Sequence, residues 1–238
     1  MEMWIWGIIG AVAIVVIIVV DALGKPKIRK AMSEVASQFG FTFRRGSFFS
    51  EPAIEGEYER HPVEIFLETI EAEIYTVISL VNPHNKLYGY YIGPEQFLSQ
   101  IVKNVGFNDV LTGDAAFDSQ ILIKGKEHDV LARVDSAARS MILDLLSYAN
   151  QRNLLQIKDS EIRFAMPGTI LQTGKLLGYP LDQMVRLSKH LLRPGLNQEL
   201  LAYNCQNDPV PQARHRNFEA LSQCYPDHQL VQQGIFPY

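Results

Sequence analysis

The first hydrophobic feature of the chain is an unbroken apolar stretch from Met3 to Val20, with no charged side chain in it. A helix of that length extends roughly 27 Å, close to the thickness of a bilayer's hydrocarbon core. Eleven of its residues are Ile or Val, and together they favour membrane insertion by roughly 3–6 kcal/mol. The pattern therefore predicts an N-terminal transmembrane helix, and we assign residues 1–24 to this anchor.

The residues on either side of the apolar stretch predict its orientation. No Lys or Arg precedes it, whereas a basic cluster follows it. The positive-inside rule then places the N-terminus outside and the rest of the chain in the cytoplasm, as a single-pass protein of the bacterial inner membrane. Two tryptophans at the outer end suit the lipid headgroup region. The residues expected to anchor the chain in the lipid are Trp4, Trp6, Lys25, Lys27, Arg29 and Lys30.

A cleaved signal peptide is the main alternative for the same stretch. A signal peptide has a basic start and an apolar run of about 7–15 residues, and this stretch has neither property. Val20-Asp21-Ala22 resembles a cleavage site only faintly. A buried helix of a water-soluble fold is disfavoured, because Ile and Val surround the helix and leave no polar face. Gly7 and Ala11 form a small-xxx-small pair, which makes them candidate helix-packing residues between two anchors.

Beyond residue 40, alternating apolar and polar positions predict β-strands. The runs are short and end at Gly, Pro or Asn, a pattern typical of antiparallel strands joined by tight turns. His61-Pro62 is predicted as one of these turns. The βαβ rhythm of a nucleotide-binding sheet is absent from the sequence. The predicted strands are Phe41–Phe43, Ile54–Arg60, Val63–Leu67, Ile74–Val81, Leu87–Ile92, Phe117–Ile123, Leu154–Ile157 and Ile162–Ala165.

Helical spacing of apolar residues marks four further segments. The first opens with Pro26, which suits the first turn of a helix, and it ends at Gly40, a common helix stop. Groups of strands combined with separate helices are typical of α+β folds. We therefore predict an α+β domain over residues 25–194, with an antiparallel sheet and packed helices. The predicted helices are Pro26–Phe39, Glu95–Val105, Val130–Ala149 as one or two helices, and Pro180–Leu192.

The composition of the chain changes after Pro194-Gly195. Residues 195–238 are richer in Gln, Asn and Pro, and their longest helical segment runs from Pro211 to Cys224. We predict a short helical tail here. The complete prediction is an α+β protein with an N-terminal transmembrane helix, then the antiparallel-sheet domain with packed helices, then this tail.

Composition and charge exclude several classes of protein. Of the 238 residues, 47% are hydrophobic and 20% are charged, close to globular averages, so wholesale disorder is excluded. The net charge of −4 argues against a general nucleic-acid binder. The mean hydropathy of −0.02 is too low for a protein with several membrane spans.

Few residues suggest catalysis or metal binding. Asp109, Asp114 and Asp118 lie close together in sequence and are candidate ligands for a bound molecule or a hard cation, or an acid–base pair. The alternative is structural, with a turn at Asp114 and a local cap or ion pair at Asp118. Cys205 and Cys224 lack zinc-site spacing and are interpreted as ordinary thiols. No histidine pair or phosphate-binding loop is recognisable, so we expect no metal site and no cofactor.

One patch of the predicted domain resembles a known family. Gly113–Asp118 has the pattern G-x-x-x-F-D, and a predicted strand at Gln120–Ile123 and a helix near Leu131 follow it. In its order of elements, the span 25–194 resembles uncharacterised bacterial single-pass membrane proteins that carry a domain of unknown function. The resemblance implies an anchored α+β domain, and it assigns no activity and no catalytic residues.

The tail resembles the start of a HEAT-type repeat. In such repeats D-P-x-P-x-V-R opens a helix, and here Asp208–Arg214 reads DPVPQAR, with Ala213 in place of the usual Val. One repeat cannot bury its own hydrophobic face. The tail therefore packs on the domain, docks on a partner, or is a remnant of a longer array.

These observations favour a binding or scaffolding module of unknown ligand, anchored at the cytoplasmic face of the membrane, over an enzyme. Membrane lipid and either a protein partner or self-association are the expected contacts, and nucleic acid is not. Two alternatives stay open. One is an accessory subunit of a larger membrane protein complex. The other is a membrane-anchored hydrolase that depends on the three aspartates or a metal.

Overall fold

The computed structural model describes seven stretches of the chain. They are residues 26–46, 51–81, 87–93, 109–150, 152–159, 161–193 and 195–234. The predicted helix Glu95–Val105 lies outside them. Within them, helices pack against an eight-stranded antiparallel sheet. The predicted α+β class, with an antiparallel sheet and packed helices, is therefore confirmed.

The structure has β-strands at most of the positions where alternating apolar and polar residues predict them. In spatial order the sheet is β1-β2-β3-β4-β8-β7-β5-β6, and every neighbouring pair is antiparallel. The three-residue strands β1 and β6 lie at its two edges. The strands are β1 (Thr42–Arg44), β2 (Ala53–Tyr58), β3 (His61–Ile70), β4 (Glu73–Val81), β5 (Leu87–Gly93), β6 (Leu122–Lys124), β7 (Leu154–Asp159) and β8 (Glu161–Pro167).

The turn predicted at His61-Pro62 is wrong by two residues. Glu59 and Arg60 form the turn, with φ values of 47° and 69°, and His61 and Pro62 begin β3. Two successive residues with positive φ match the twist of a two-residue hairpin. Proline is tolerated at the start of a strand, which explains why Pro62 does not end it.

Among the described residues, three helices have 14 residues and the others are shorter. The predicted helix at Pro26 is confirmed as α1, residues 26–39, and Gly40 follows it with φ +70°. The strand predicted at Phe117–Ile123 is wrong in its first half, where a short helix begins at Ala115 and is capped by the side chain of Asp114. The remaining helices are α2 (Ala115–Asp118), α3 (Glu127–Arg133), α4 (Ser136–Ser147), α5 (Ile170–Thr173), α6 (Gly178–Leu191), α7 (Asn197–Asn207), α8 (Pro211–Cys224) and α9 (Gln229–Gln232).

The main hydrophobic core lies between the helices and one face of the sheet. Ile78 and Phe164 from the central strands are buried there against Leu181 and Met184 of α6. Leu201 of α7 and Leu221 of α8 belong to the same cluster of buried side chains. The tail helices therefore share the core of the sheet domain.

The predicted transmembrane helix is corrected by the structure. Among the described residues, no helix is long and apolar enough to cross a bilayer. Helices of 14 residues, such as α6 and α8, extend about 21 Å, short of a hydrocarbon core of about 30 Å. The stretch Met3–Val20, on which the prediction depended, lies outside the described residues. We therefore withdraw the transmembrane helix from the fold class, together with the single-pass bacterial inner-membrane location.

Candidate functional site

One face of the sheet points away from the helices, and we call it the open face. On β3, Val63 and Ile65 are buried under the helices, and alternation turns Phe66 to the other side. The strand register aligns Phe66 with Val77 of β4, and Val77 with Ala165 of β8. Apolar side chains therefore form a continuous row across the middle of the open face.

This row forms a small second hydrophobic cluster, separate from the main core. Tyr75, Val77 and Ala165 are its buried members. Ile70 and Leu154 are partly buried and pack against them. Partly exposed apolar side chains gathered at one place on a sheet face mark a candidate interaction surface.

A cavity of about 160 Å³ opens beside the cluster, and we call it the sheet cleft. Its volume is comparable to cavities that admit a benzene-sized group. Gln156 lines the cleft, and its Nε2 is buried and has no hydrogen-bond acceptor within the described part of the chain. The cleft therefore combines an apolar floor with one unpaired amide donor. The residues that line the cleft include Glu68, Ile70, Val77, Leu154, Gln156 and Ala165.

Arg163 forms one wall of the sheet cleft. Its Nη2 donates to Glu68 Oε2 at 2.6 Å, and its guanidinium lies 5.6 Å from the centre of the Phe66 ring. Its Nε also lies 3.7 Å from Glu161 Oε1, which accepts a hydrogen bond from Ser79. These contacts hold the guanidinium against the sheet and fix the wall.

A second arginine bridges two carboxylates at the β1 edge of the open face. Arg44 Nε donates to Glu55 Oε1 at 2.5 Å, and its Nη2 donates to Glu64 Oε1 at 2.9 Å. Both glutamates face the open side, because the register pairs them with each other across β2 and β3. The contacts raise the pKa of Arg44, mainly through the hydrogen bond to Glu55.

Carboxylates outnumber cations on the open face. Glu57 on β2, Glu71 in the β3–β4 turn and Glu73 on β4 are exposed, and none has a cation partner in the described ranges. From residue 51 to residue 73 the sequence holds eight glutamates and a single Lys or Arg, Arg60. Because net charge decides which partners approach, the rim of the sheet cleft favours positively charged groups.

Two tyrosines of the open face remain neutral over the physiological range. Burial, followed by the charge of Glu73, raises the pKa of Tyr75. Its hydroxyl lies 3.4 Å from Glu73 Oε2. Burial also raises the pKa of Tyr91, on β5, to about 12. Both phenols therefore stay protonated and add no negative charge to the face.

The aspartates predicted as candidate ligands are engaged in separate contacts. Asp109 Oδ1 lies 3.1 Å from Lys124 Nζ at the β6 edge. Asp118 accepts hydrogen bonds from the backbone N–H and hydroxyl of Thr112, at 3.0 and 2.8 Å. Asp114 caps α2 and accepts from Arg139 Nε at 3.1 Å. Across the described residues, no group of three His, Cys, Asp or Glu side chains is arranged to hold a metal ion.

Half of the six residues predicted to anchor the chain lie outside the described ranges, as do both candidate helix-packing residues. Three basic residues of that set, Lys27, Arg29 and Lys30, lie on α1. Lys30 Nζ is 3.9 Å from Glu34 Oε1, one turn further along the helix. The residues outside the description are Trp4, Trp6, Gly7, Ala11 and Lys25.

The open face was missed by the sequence analysis, although a signal for it exists. Glu64, Phe66 and Glu68 are three consecutive positions on one side of β3. A large aromatic residue between two acidic ones, on the side opposite a buried row, indicates a face that is half apolar and half charged. The donor Gln156 carries no such signal, because its place beside Arg163 depends on how β7 and β8 pair.

Comparisons with known proteins add no family. No family model matches the chain, and no curated protein matches it. One solved structure that resembles it is the crystal structure of the mycobacterial trehalose monomycolate transport factor A, TtfA. The sequence identity is 17%, the match covers 71% of this chain and 98% of that one, and the TM-score is 0.48. A similarity this low supports no conclusion about the fold, ligand or function of this chain.

Proposed function

We propose that the chain is a protein-binding module whose open face docks a partner segment that carries apolar and basic side chains. The observation that carries the proposal is the hydrophobic cluster around Val77, which is exposed at its edges and surrounded by an excess of glutamates. A scaffolding role follows from binding alone, because holding a partner raises its local concentration.

The apolar part of the partner would enter the sheet cleft. The cleft has room for roughly one benzene-sized side chain. Its floor is formed by Val77 and Ala165, and Ile70 and Leu154 flank them. Burying an apolar side chain against this floor stabilises a complex by roughly 1.5–3 kcal/mol. The cleft therefore supports one anchoring side chain.

The basic part of the partner would lie along the acidic rim. Glu71, which lines the cleft, and Glu73, which lies two residues further on, have no cation partner within the described structure, so their charges are available. Complementary charges steer association and select partners more than they add affinity. An acidic rim around an apolar cleft thus favours a segment in which apolar and basic residues alternate.

Backbone recognition would come from Gln156. Its buried Nε2 lacks an acceptor in the described structure, and a backbone carbonyl of an extended segment supplies one. A buried donor left unpaired costs about 1–3 kcal/mol, so a carbonyl placed here contributes to binding.

The test is fluorescence anisotropy with three labelled nine-residue peptides. One alternates Lys with Leu, one alternates Lys with Ser, and one alternates Glu with Leu. We expect the Lys–Leu peptide to bind about tenfold more tightly than each of the others, because it alone satisfies both the cleft and the rim. Equal binding of the Lys–Leu and Lys–Ser peptides would contradict a role for the cleft.

A charge-reversal pair places the interaction on the open face. Glu71→Lys changes an exposed residue of the rim, and Asp144→Lys makes the same change on an exposed position of α4, which packs on the helix-covered side. We expect Glu71→Lys to weaken Lys–Leu binding about fivefold and Asp144→Lys to leave it within twofold. Equal effects of the two variants would show that the peptide is held by the net charge of the chain and not at the open face, which would overturn the proposal.

A further inference from the structure

A second concave site lies where α4, α6 and α7 meet, and none of the residues that line it belongs to a strand. Its cavity measures about 250 Å³. Leu200, Tyr203 and Asn207 form one wall, and their spacing of three and four positions places them on one side of α7. Tyr203 is 61% exposed at the mouth. We call this site the α4–α7 cleft.

The carboxylates that line the α4–α7 cleft already have cation partners. Asp135 Oδ1 lies 2.8 Å from His190 Nε2, and its Oδ2 lies 3.0 Å from Arg193 Nη2. Asp208, which also lines the cleft, is held by Arg139. The cleft therefore has little uncompensated negative charge that would repel a bound carboxylate.

Two residues that border this cleft carry free backbone donors at the start of α4. Ser136 and Ala137 are the first two residues of that helix, so their N–H groups have no partner inside it. The side chain of Asp135 accepts from the third N–H, that of Ala138. Both Ser136 and Ala137 line the cleft. Paired N–H groups at the positive end of a helix bind carboxylates and other oxyanions.

A buried acceptor provides an independent indication of a ligand. Asn204 lines the cleft and is only 2% exposed. Its Nδ2 donates to the backbone carbonyl of Leu131 at 2.9 Å. Its Oδ1 is buried and accepts no hydrogen bond anywhere in the described structure. An unsatisfied buried acceptor is unfavourable, so a donor from a bound molecule is the natural partner for it.

We propose that the α4–α7 cleft binds a small carboxylic acid that also carries a hydrogen-bond donor next to the carboxylate, the chemistry of amino acids and 2-hydroxy acids. The carboxylate accepts from the N–H groups of Ser136 and Ala137. The adjacent amino or hydroxyl group donates to Asn204 Oδ1. An aliphatic side chain of the ligand packs against Leu200 and Tyr203.

Three ligands with one carbon skeleton test the donor. They are L-leucine, 2-hydroxy-4-methylpentanoate and 4-methylpentanoate, which carry an ammonium group, a hydroxyl group and no donor next to the carboxylate. Isothermal titration of the full chain is expected to give at least tenfold tighter binding for one of the first two than for the third. Equal affinity for all three, or no binding of any at 20 mM, would overturn the proposal.

A proline substitution tests the backbone donors without removing a helix bond. Ser136→Pro deletes one N–H at the first helical position, where proline is well tolerated, and the preceding Asp135 is extended with ψ −177°. Ser136→Ala deletes the hydroxyl and keeps the N–H. We expect Ser136→Pro to lose at least tenfold in affinity and Ser136→Ala to lose less than twofold, with unchanged circular dichroism. Similar affinities for the two variants would show that the N–H groups do not hold the carboxylate.

A substitution at an exposed residue keeps the test informative if Ser136→Pro does not fold. Tyr203→Ala removes a side chain at the mouth of the cleft, where it has little packing to lose. We expect it to weaken leucine or hydroxy-acid binding about threefold to tenfold. Unchanged binding would place the ligand elsewhere and overturn the proposal.

Discussion

Arg139 donates two hydrogen bonds from Nη2 to the two carboxylate oxygens of Asp208, at 2.9 and 3.1 Å. Arg139 lies on α4 and Asp208 lies at the end of α7. The side chains are 3% and 1% exposed. A buried ion pair therefore joins the tail helices to the sheet domain, in addition to the hydrophobic core that they share.

Removing one charge of this pair is expected to destabilise the fold strongly. In Asp208→Asn, Arg139 keeps only Asp114 as a charged partner, and a buried cation left partly unpaired costs about 3 kcal/mol. Urea denaturation followed by circular dichroism measures the free energy of unfolding. The control is Glu59→Gln, which breaks an exposed pair with Lys189 and should cost less than about 1 kcal/mol. Equal losses in the two variants would contradict the buried pair.

The neighbouring carboxylate, Asp135, gives the stability a defined pH dependence. Burial acts to raise the pKa of Asp135, but hydrogen bonds from His190 and the Ala138 N–H, with the charge of Arg193, hold that pKa below its ordinary 3.8. A carboxylate with a lowered pKa stabilises the fold above its unfolded-state pKa, and this contribution is lost as the pH falls through the folded-state value.

We therefore expect Asp135→Asn to be less stable than the natural chain near neutral pH, and the difference to shrink as the pH falls below about 4. Urea midpoints measured for both chains from pH 7 down to pH 2.5 test this. Asn retains an acceptor for the helix cap, but it cannot accept from both His190 and Arg193, so the pH dependence of the difference reports the ionisation of Asp135. A difference that stays constant over the whole range would exclude ionisation of Asp135 as its cause.

A glycine fixes the approach of the tail to the turn before α2. Gly113 has φ +87°, and a Cβ built on it would lie 2.7 Å from the carbonyl carbon and oxygen of Gln212 in α8. Gly40 has a similar φ of +70°, but nothing lies within 4 Å of its Cβ position. Gly40→Ala should therefore show only the backbone cost, about 1–2 kcal/mol.

We expect Gly113→Ala to lower the free energy of unfolding clearly more than Gly40→Ala does, because α8 and the turn must move apart to make room for the Cβ. Chemical denaturation of both variants under one set of conditions measures the two losses. If the two stability losses agree within experimental error, α8 does not contact this turn in solution.

The two cysteines should differ sharply in reactivity. Burial raises the pKa of Cys205 to about 12, and this thiol is 1% exposed. Cys224 is exposed, with its pKa raised by partial burial and then by the charges of Glu127 and Asp129. Because the thiolate is the reactive form, a thiol reagent at pH 8 should modify Cys224 in the native chain and Cys205 only after unfolding.

Cys224→Ser provides the control for this assignment. The native variant should resist the reagent, and it should react fully at its remaining thiol in 8 M urea. Rapid reaction of the native variant would show that α7 does not keep Cys205 buried.

Local patterning was sufficient to predict most elements of the fold. The alternation of Val63 and Ile65 with charged neighbours predicted β3, and Pro211 predicted the start of α8 at the residue where it begins. The hairpin turn at Glu59-Arg60 was missed because neither residue is Gly or Asn, the usual residues for positive φ. The helix at Ala115 was missed because Phe117 also fits a strand pattern.

The candidate sites depend on contacts between distant parts of the chain, so patterning could not supply them. Arg163 meets Glu68 across 95 positions, and Arg139 meets Asp208 across 69. These pairings follow from the crossover that places β8 beside β4 and from the docking of α7 near α4. Neither arrangement has a local signal in the sequence.

The most direct test of the proposed binding face is an NMR titration of the full, ¹⁵N-labelled chain with the peptide that alternates Lys and Leu. We predict saturable shift changes that are largest at Val77, Gln156, Arg163 and Ala165, which surround the sheet cleft. Changes confined to the helices, or changes of equal size with the Lys–Ser peptide, would contradict binding at the open face.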